Sequence, residues 1–200
     1  DAARSYVRFD PLGVILAVMP WNFPLWQVFR FAAPTLVAGN VALLKHASNV
    51  TGCALAIEDV FRSAGAETGV FAALLISGQR VASVIADVRV AGVSLTGSTP
   101  AGREVGRAAG EALKPSLLEL GGSDPFVVLS DANLDQAVKA AVLGRHINGG
   151  QSCIAAKRFI VEDPIHDGFV ERLKVAISAL RLGDPRDDAT DVGPLARADL

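Results

Sequence analysis

Two continuous apolar runs with a helical pattern between them most constrain how this chain can fold. Residues 14–19 and 41–44 are apolar and of strand length, and residues 25–37 show helical periodicity. A strand that is apolar on both faces needs cover on both faces, as in a parallel sheet flanked by helices. The pattern therefore predicts a β-α-β unit at the start of an α/β fold.

The same alternation of helices and strands continues through residue 120. The further predicted helices are 51–64, 80–86 and 101–113, and the further predicted strands are 71–76, 88–95 and 117–120. Gly39-Asn40 and Gly65 tolerate the left-handed conformation and are predicted to end the first two helices. We therefore expect a Rossmann-like, doubly wound parallel sheet.

The glycine pair Gly121-Gly122 interrupts this alternation, and a second series follows it. Its predicted elements are strand 125–129, helix 134–145, strand 159–162 and helix 165–180. The acidic stretch 183–193 is predicted to be a solvated loop. These patterns place a domain boundary at the glycine pair and predict two domains, residues 1–120 and residues 121–200, the second being the start of another α/β domain.

Composition argues against several classes of partner. The net charge of −2 and the pI near 5.9 provide no basic surface, so we expect neither nucleic acid nor membrane as a partner. The apolar run 12–19 is far too short to span a bilayer. Cys53 and Cys153 are too few for a disulfide scaffold or a four-thiolate zinc site, which fits a reducing, cytoplasmic compartment without a structural metal.

Cys153 is the candidate nucleophile. It follows residues 148–152, whose glycines leave room for a carbonyl group to approach and for backbone N–H groups to face a developing oxyanion. The alternative is a small buried hydrophobic residue, and this stretch alone favours that alternative. Cys53, among alanines and a leucine on a predicted helix, is expected to serve packing.

Four other features each allow a functional and a structural interpretation. Lys45 lies at the carboxyl edge of the predicted sheet, where ligands bind in such folds, but a surface charge is an equally simple explanation. Arg30 lies in an apolar helix and requires solvent, a carboxylate or a ligand. Glu119 would be a usable base if buried, or an ordinary solvent-facing residue if not. Residues 97–102 suit either an anion or a plain helix cap.

Five motifs stand in an order that resembles the NAD(P)-dependent aldehyde dehydrogenase superfamily. They are Pro-Trp-Asn-Phe-Pro at 20–24, Lys45, Thr-Gly-Ser at 96–98, Leu-Glu-Leu-Gly-Gly at 118–122 and Gly-Gln-Ser-Cys at 150–153. Residues 22–27, 45–50 and 119–126 look like those of bacterial succinate-semialdehyde dehydrogenases. Members of the superfamily are about twice as long as this chain or longer.

The length of such relatives and the composition together suggest a fragment. The chain begins at Asp1 rather than Met, and its mean hydropathy of +0.36 is high for a complete soluble protein. We expect its exposed apolar faces to belong against segments that are missing here. For the full-length enzyme, the resemblance implies a homodimer or a homotetramer.

The resemblance implies a catalytic role for three residues. Cys153 would attack the aldehyde carbonyl, and the side-chain amide of Asn22 with the backbone N–H of Cys153 would hold the oxyanion. Hydride would then leave to the nicotinamide. Glu119 would activate the water that hydrolyses the thioester.

The resemblance also implies a set of cofactor contacts. Trp21 and Lys45 would lie along NADP or NAD, with Lys45 donating a hydrogen bond to a ribose. Gly97 and Ser98 would approach the pyrophosphate, and Leu120 would lie at the nicotinamide.

Two positions bear on specificity. Many NAD-preferring relatives carry Glu where this chain has Ser48, and that carboxylate would repel a 2′-phosphate by roughly 1–4 kcal/mol at about 4 Å. We therefore expect NADP to be used at least as well as NAD, with His46 adding a hydrogen bond. Arg30 matches an arginine that binds the substrate carboxylate, whereas a second such arginine of some relatives is Ile147 here.

Three alternatives to the oxidation of succinic semialdehyde by NADP or NAD are considered on the sequence. One is an enzyme acting on another aldehyde. Another is a non-catalytic nucleotide-binding fragment. The third, transfer of the acyl group to coenzyme A, is disfavoured by Glu119, which supplies a base for water.

Overall fold

The computed structural model describes residues 3–200, so Asp1 and Ala2 lie outside it. The chain divides into two packing units, Asp1–Leu120 and Gly121–Leu200. The strands of the first unit are β1 (Val14–Met19), β2 (Val41–His46), β3 (Phe71–Ala73), β4 (Val90–Thr96) and β5 (Ser116–Glu119). Its helices are α1 (Trp26–Val37), α2 (Thr51–Ser63), α3 (Val81–Ala86) and α4 (Thr99–Glu111), with short 3₁₀ turns at Ser48–Val50 and Gly78–Arg80.

The first unit is built on a five-stranded parallel sheet in the order β3-β2-β1-β4-β5. Leu16 at the centre of β1 pairs with Leu43 of β2 on one side and Val93 of β4 on the other. Successive strands are added outward from β1 in both directions, which places the switch in strand order beside β1. The predicted doubly wound parallel sheet is confirmed.

The side chains of β1 alternate between two separate hydrophobic cores. Leu16 packs with residues of α3 and α4 on one face, whereas Ala17 and Met19 pack with α1 and α2 on the other. Leu16 and Leu44 are fully buried, and each contributes about 1.5–3 kcal/mol by leaving water. A strand without polar alternation is therefore what this position in the sheet requires.

The first two helices end at glycines, as predicted. Gly39 and Gly65 have φ of +85° and +91°, a backbone conformation that disfavours residues with a Cβ. Asn40 corrects the prediction, because it is not left-handed. Its Oδ1 instead accepts hydrogen bonds from the N–H groups of Leu12 (2.6 Å) and Gly13 (3.0 Å), which ties the end of α1 to the start of β1.

The second unit contains β6 (Asp124–Val128), α5 (Leu134–His146), β7 (Ala156–Val161) and α6 (Asp163–Ser178), with a 3₁₀ turn at Ile147–Gly150. β6 and β7 are parallel and joined through α5, and their core is centred on Phe169, which is almost fully buried. Most residues of 183–193 are exposed, as predicted for a solvated loop, and Thr190, Val192 and Gly193 are half-buried. Within residues 3–200, no helix is long and apolar enough to cross a membrane.

Candidate functional site

The carboxyl ends of the sheet strands carry most of the residues that the sequence singled out in the first unit. Trp21 and Asn22 follow β1 and are half-buried, Lys45 is the penultimate residue of β2, Gly97 follows β4, and Glu119 ends β5. Parallel strands place these ends on one edge of the sheet, which is the edge where α/β folds bind ligands.

Lys45 faces a cavity of about 570 Å³ on the side of the sheet covered by α3 and α4. Its side chain is half-buried, and this burial lowers the pKa of its ammonium group. Apolar walls come from Val18, Leu95 and Ala101. Apolar walls beside a half-buried cation suit a ligand with a flat apolar part and a polar part, such as a nucleotide.

The segment between β4 and α4 provides the N-terminal cap of α4. The Ser98 hydroxyl accepts a hydrogen bond from the N–H of Ala101 at 3.4 Å and so caps α4. The side chain of Leu120 packs against Gly102 so closely that a Cβ at position 102 would lie 2.5 Å from a Leu120 methyl carbon. The predicted contacts of Gly97, Ser98 and Leu120 with a cofactor stay predictions.

His46 does not fit the role suggested for it beside a 2′-phosphate. The side chain is 6% exposed, and its ring nitrogens lie 3.1 Å from the carbonyl oxygen of Met19 and 3.0 Å from that of Pro24. The N–H of Ala47 also donates to Nδ1 at 3.1 Å. Both nitrogens are therefore occupied by backbone groups, and the expectation of a hydrogen bond from His46 to the cofactor was wrong. Ser48, two residues later, is exposed.

A second cavity, of about 470 Å³, lies on the face of the same sheet that α1 partly covers. Arg30 and Glu119 both line it and both are exposed. Among residues 3–200, no carboxylate lies within ion-pairing distance of Arg30, so its charge is met by solvent rather than by a protein partner. The burial considered for Glu119 is not found, and the solvent-facing alternative holds for the described part of the chain.

Gln27 is a residue of this cavity that the sequence did not single out. It lies one helical turn before Arg30 and is 6% exposed. Within the described residues its side-chain oxygen is buried without a hydrogen-bond partner. The sequence could have pointed to Gln27 as it did to Arg30, because both are polar residues in a mostly apolar helix.

Cys153 lies in the second unit, just beyond a stretch of unusual backbone. Asn148, Gly149 and Gly150 have φ of +53°, +63° and +76°, and a Cβ at position 150 would lie 3.2 Å from the carbonyl oxygen of Arg145 and from one of its guanidinium nitrogens. The glycines are therefore required by the bend. Cys153 itself is half-buried, so part of its surface is open.

Lys157 is the second residue that the sequence missed. Its ammonium group donates to the carbonyl oxygens of Gly122, Ser152 and Cys153. An exposed lysine carries no special signal in a sequence, and its contact with residue 122 depends on how β6 and β7 pair.

The chain matches one protein family along almost its whole length. Residues 1–199 match the family model described as the aldehyde dehydrogenase family. Succinate-semialdehyde dehydrogenase [NADP(+)] 1 of Mycobacterium tuberculosis (strain H37Rv) is 60% identical over 195 residues, which cover 98% of this chain and 43% of that protein. A succinate-semialdehyde dehydrogenase [NADP(+)] of Mycolicibacterium paratuberculosis is 58% identical over 195 residues, covering 98% of this chain and 41% of that protein.

Solved structures agree with this match. The succinic semialdehyde dehydrogenase of Streptococcus pyogenes, in complex with NADP⁺, superimposes with a TM-score of 0.93 at 45% identity, over 95% of this chain and 42% of that one. The chain thus spans less than half the length of the relatives it matches.

Replacing Lys45 with Met is expected to raise the thermal stability of the protein without cofactor. Because the pKa of Lys45 is lowered on folding, the unfolded state binds this proton more tightly, and the penalty is present in full below the lowered pKa. It disappears as pH rises from that pKa to the ordinary value of 10.5. Calorimetry should show a gain in Tm at neutral pH that shrinks in alkali. A lower Tm in the variant at every pH would contradict this account.

Proposed function

This chain belongs to the aldehyde dehydrogenase family, and from that premise we propose that the protein oxidises an aldehyde to the carboxylic acid with NADP or NAD. Succinic semialdehyde is the proposed substrate and NADP the proposed cofactor, because relatives with about 60% identity are named succinate-semialdehyde dehydrogenase [NADP(+)]. The observation that carries the proposal is the gathering of Asn22, Lys45 and Glu119 at one edge of the sheet, in a chain that also offers a half-buried Cys153.

The first proposed step is attack by the Cys153 thiolate on the aldehyde carbon. A carbon–sulfur bond forms, and the electron pair of the carbonyl double bond moves to oxygen. The Asn22 side-chain amide and the backbone N–H of Cys153 donate hydrogen bonds to that oxyanion. Such donors act most strongly when they are fixed before the charge develops.

A nicotinamide cofactor, when bound, would accept the hydride from the substrate carbon, which would leave a thioester on Cys153. The residues of this chain that suit that cofactor are Lys45 and the apolar walls of its cavity. Gly97 and Ser98 precede α4, whose first N–H groups favour an anion.

Hydrolysis of the thioester is assigned to Glu119. Its carboxylate takes a proton from water, the water oxygen bonds to the acyl carbon, and the carbon–sulfur bond breaks to return the thiolate and release the acid. The side chain is exposed, so water reaches it directly in the described part of the chain.

The full-length protein is expected to reduce NADP when succinic semialdehyde is added, and the Cys153→Ala variant to show no such reduction. The nucleophile has no substitute in this mechanism, so the loss should be at least about a thousandfold. The absorbance of the reduced nicotinamide measures both. No reduction by the wild type, or undiminished reduction by the variant, would remove the proposed function.

The Ser48→Glu variant is expected to lose use of NADP and to keep use of NAD. A carboxylate near the 2′-phosphate repels it by roughly 1–4 kcal/mol, which corresponds to a fall in kcat/KM for NADP of at least about fivefold. Ser48→Gln is the matched control, because it has the size of glutamate without its charge. Equal losses in both variants, or a wild type that uses NAD alone, would contradict the assignment.

The Arg30→Ala variant is expected to lose about 2 kcal/mol of transition-state binding for succinic semialdehyde, or about thirtyfold in kcat/KM. Arg30 is exposed and lines the cavity beside Glu119, so its charge is available to a substrate carboxylate. Propanal, which has no carboxylate, is the control substrate and should be oxidised as well as by the wild type. If both aldehydes lost the same factor, Arg30 would serve structure rather than specificity.

A further inference from the structure

The ammonium group of Lys157 is held by backbone carbonyls on two stretches of the second unit. It lies 2.7 Å from the carbonyl oxygen of Gly122, 3.0 Å from that of Cys153 and 3.4 Å from that of Ser152. A lysine ammonium has three N–H donors and no acceptor, so these three oxygens use its whole capacity. Lys157 therefore connects Gly122, near the start of the second unit, to the residue proposed as nucleophile.

A one-residue bulge in the pairing of β6 and β7 sets the direction of the Lys157 side chain. In the β6–β7 pair, Asp124 lies opposite Ala156 and Pro125 lies opposite Arg158, so Lys157 is an extra residue on β7. Such a bulge breaks the alternation of side chains and redirects the residue that it inserts. The neighbouring Arg158 donates from Nε to the carbonyl oxygen of Ser123 at 2.9 Å, which fixes the same entry to β6.

The backbone before Cys153 needs an anchor of this kind. Gly149 and Gly150 both have positive φ, and glycines restrict the chain less than any other residue. Arg145 packs against Gly150 on the amino-terminal side of the loop. Lys157 is the corresponding contact on the carboxyl-terminal side, and it acts on Cys153 directly.

The contact with Ser152 bears on the orientation of an N–H group. The Ser152 carbonyl and the Cys153 N–H belong to one planar trans peptide unit, in which they point in opposite directions. The Ser152 oxygen accepts from the Lys157 ammonium and also from the N–H of Ala155 at 3.2 Å, and these two donors together fix the direction of the Cys153 N–H. A cation at the oxygen also polarises the amide and makes its N–H a stronger donor.

We propose that Lys157 is a positioning residue, which orients the Cys153 backbone N–H toward the oxyanion formed on the substrate. The inference rests on the proposed function, because it concerns the oxyanion of that reaction. Lys157 does not touch substrate and acts through the peptide unit that it holds.

The test uses the full-length protein and three variants. Lys157→Met removes the donors and keeps the length, Lys157→Arg restores several donors, and Lys174→Met is the matched control, an exposed lysine of α6 in the same unit. The measurements are the pre-steady-state burst of reduced nicotinamide with succinic semialdehyde, the KM for the aldehyde, and hydrogen exchange of the amides of residues 152–154.

The burst rate of Lys157→Met should fall at least about tenfold with KM changed less than about threefold, because an oxyanion donor acts in the transition state. Amide exchange at 152–154 should accelerate while that of α5 and α6 stays unchanged. Lys157→Arg should regain most of the burst rate, and Lys174→Met should match the wild type.

Three results would overturn the inference. One is a burst rate in Lys157→Met within about twofold of the wild type. A second is unchanged exchange at 152–154, which would show that the contact holds nothing, whatever the activity. Accelerated exchange throughout the second unit, with no rescue by arginine, would assign Lys157 to folding and likewise overturn the proposed role. A wild type that oxidises no aldehyde would remove the proposed function separately.

Discussion

The parallel pairing of β1 with both β2 and β4 is the constraint on which the first unit depends. It places β1 at the centre of the sheet, buries it from both faces, and aligns the carboxyl ends of its neighbours with its own. Asn22, Lys45 and Gly97 come from distant parts of the sequence. They share one edge because three parallel strands end there.

The sequence predicts the sheet well because a strand buried on both faces is a continuous apolar run, which is easily recognised. The strand predicted at 14–19 is β1 itself, and the order of helices and strands is as expected throughout. The predicted strand 71–76 is shorter in the structure, ending at Ala73, since the N–H of Ile76 turns back to the carbonyl of Leu74 at 2.9 Å. The apolar character of these residues alone does not predict that turn.

The surroundings of individual site residues were harder to predict, for a common physical reason. His46 was assigned to a ligand, but its partners Met19 and Pro24 lie more than twenty positions away in the sequence, across a strand pair. Lys157 owes its role to a one-residue bulge between two strands. Contacts of this kind depend on which strands pair and on bulges between them, and hydrophobic periodicity along one strand specifies neither.

Positions 46 and 48 lie close together in the sequence but have different surroundings in the structure. The buried imidazole places its two ring nitrogens within 3.1 Å of the carbonyl oxygens of Met19 and Pro24, and so packs against both ends of the loop that carries Asn22. Ser48 projects to solvent two positions later and takes no part in this packing. A substitution at position 48 can therefore change the surface there while the loop of Asn22 keeps its shape. Change at position 46 is restrained, because it would release that loop at both ends.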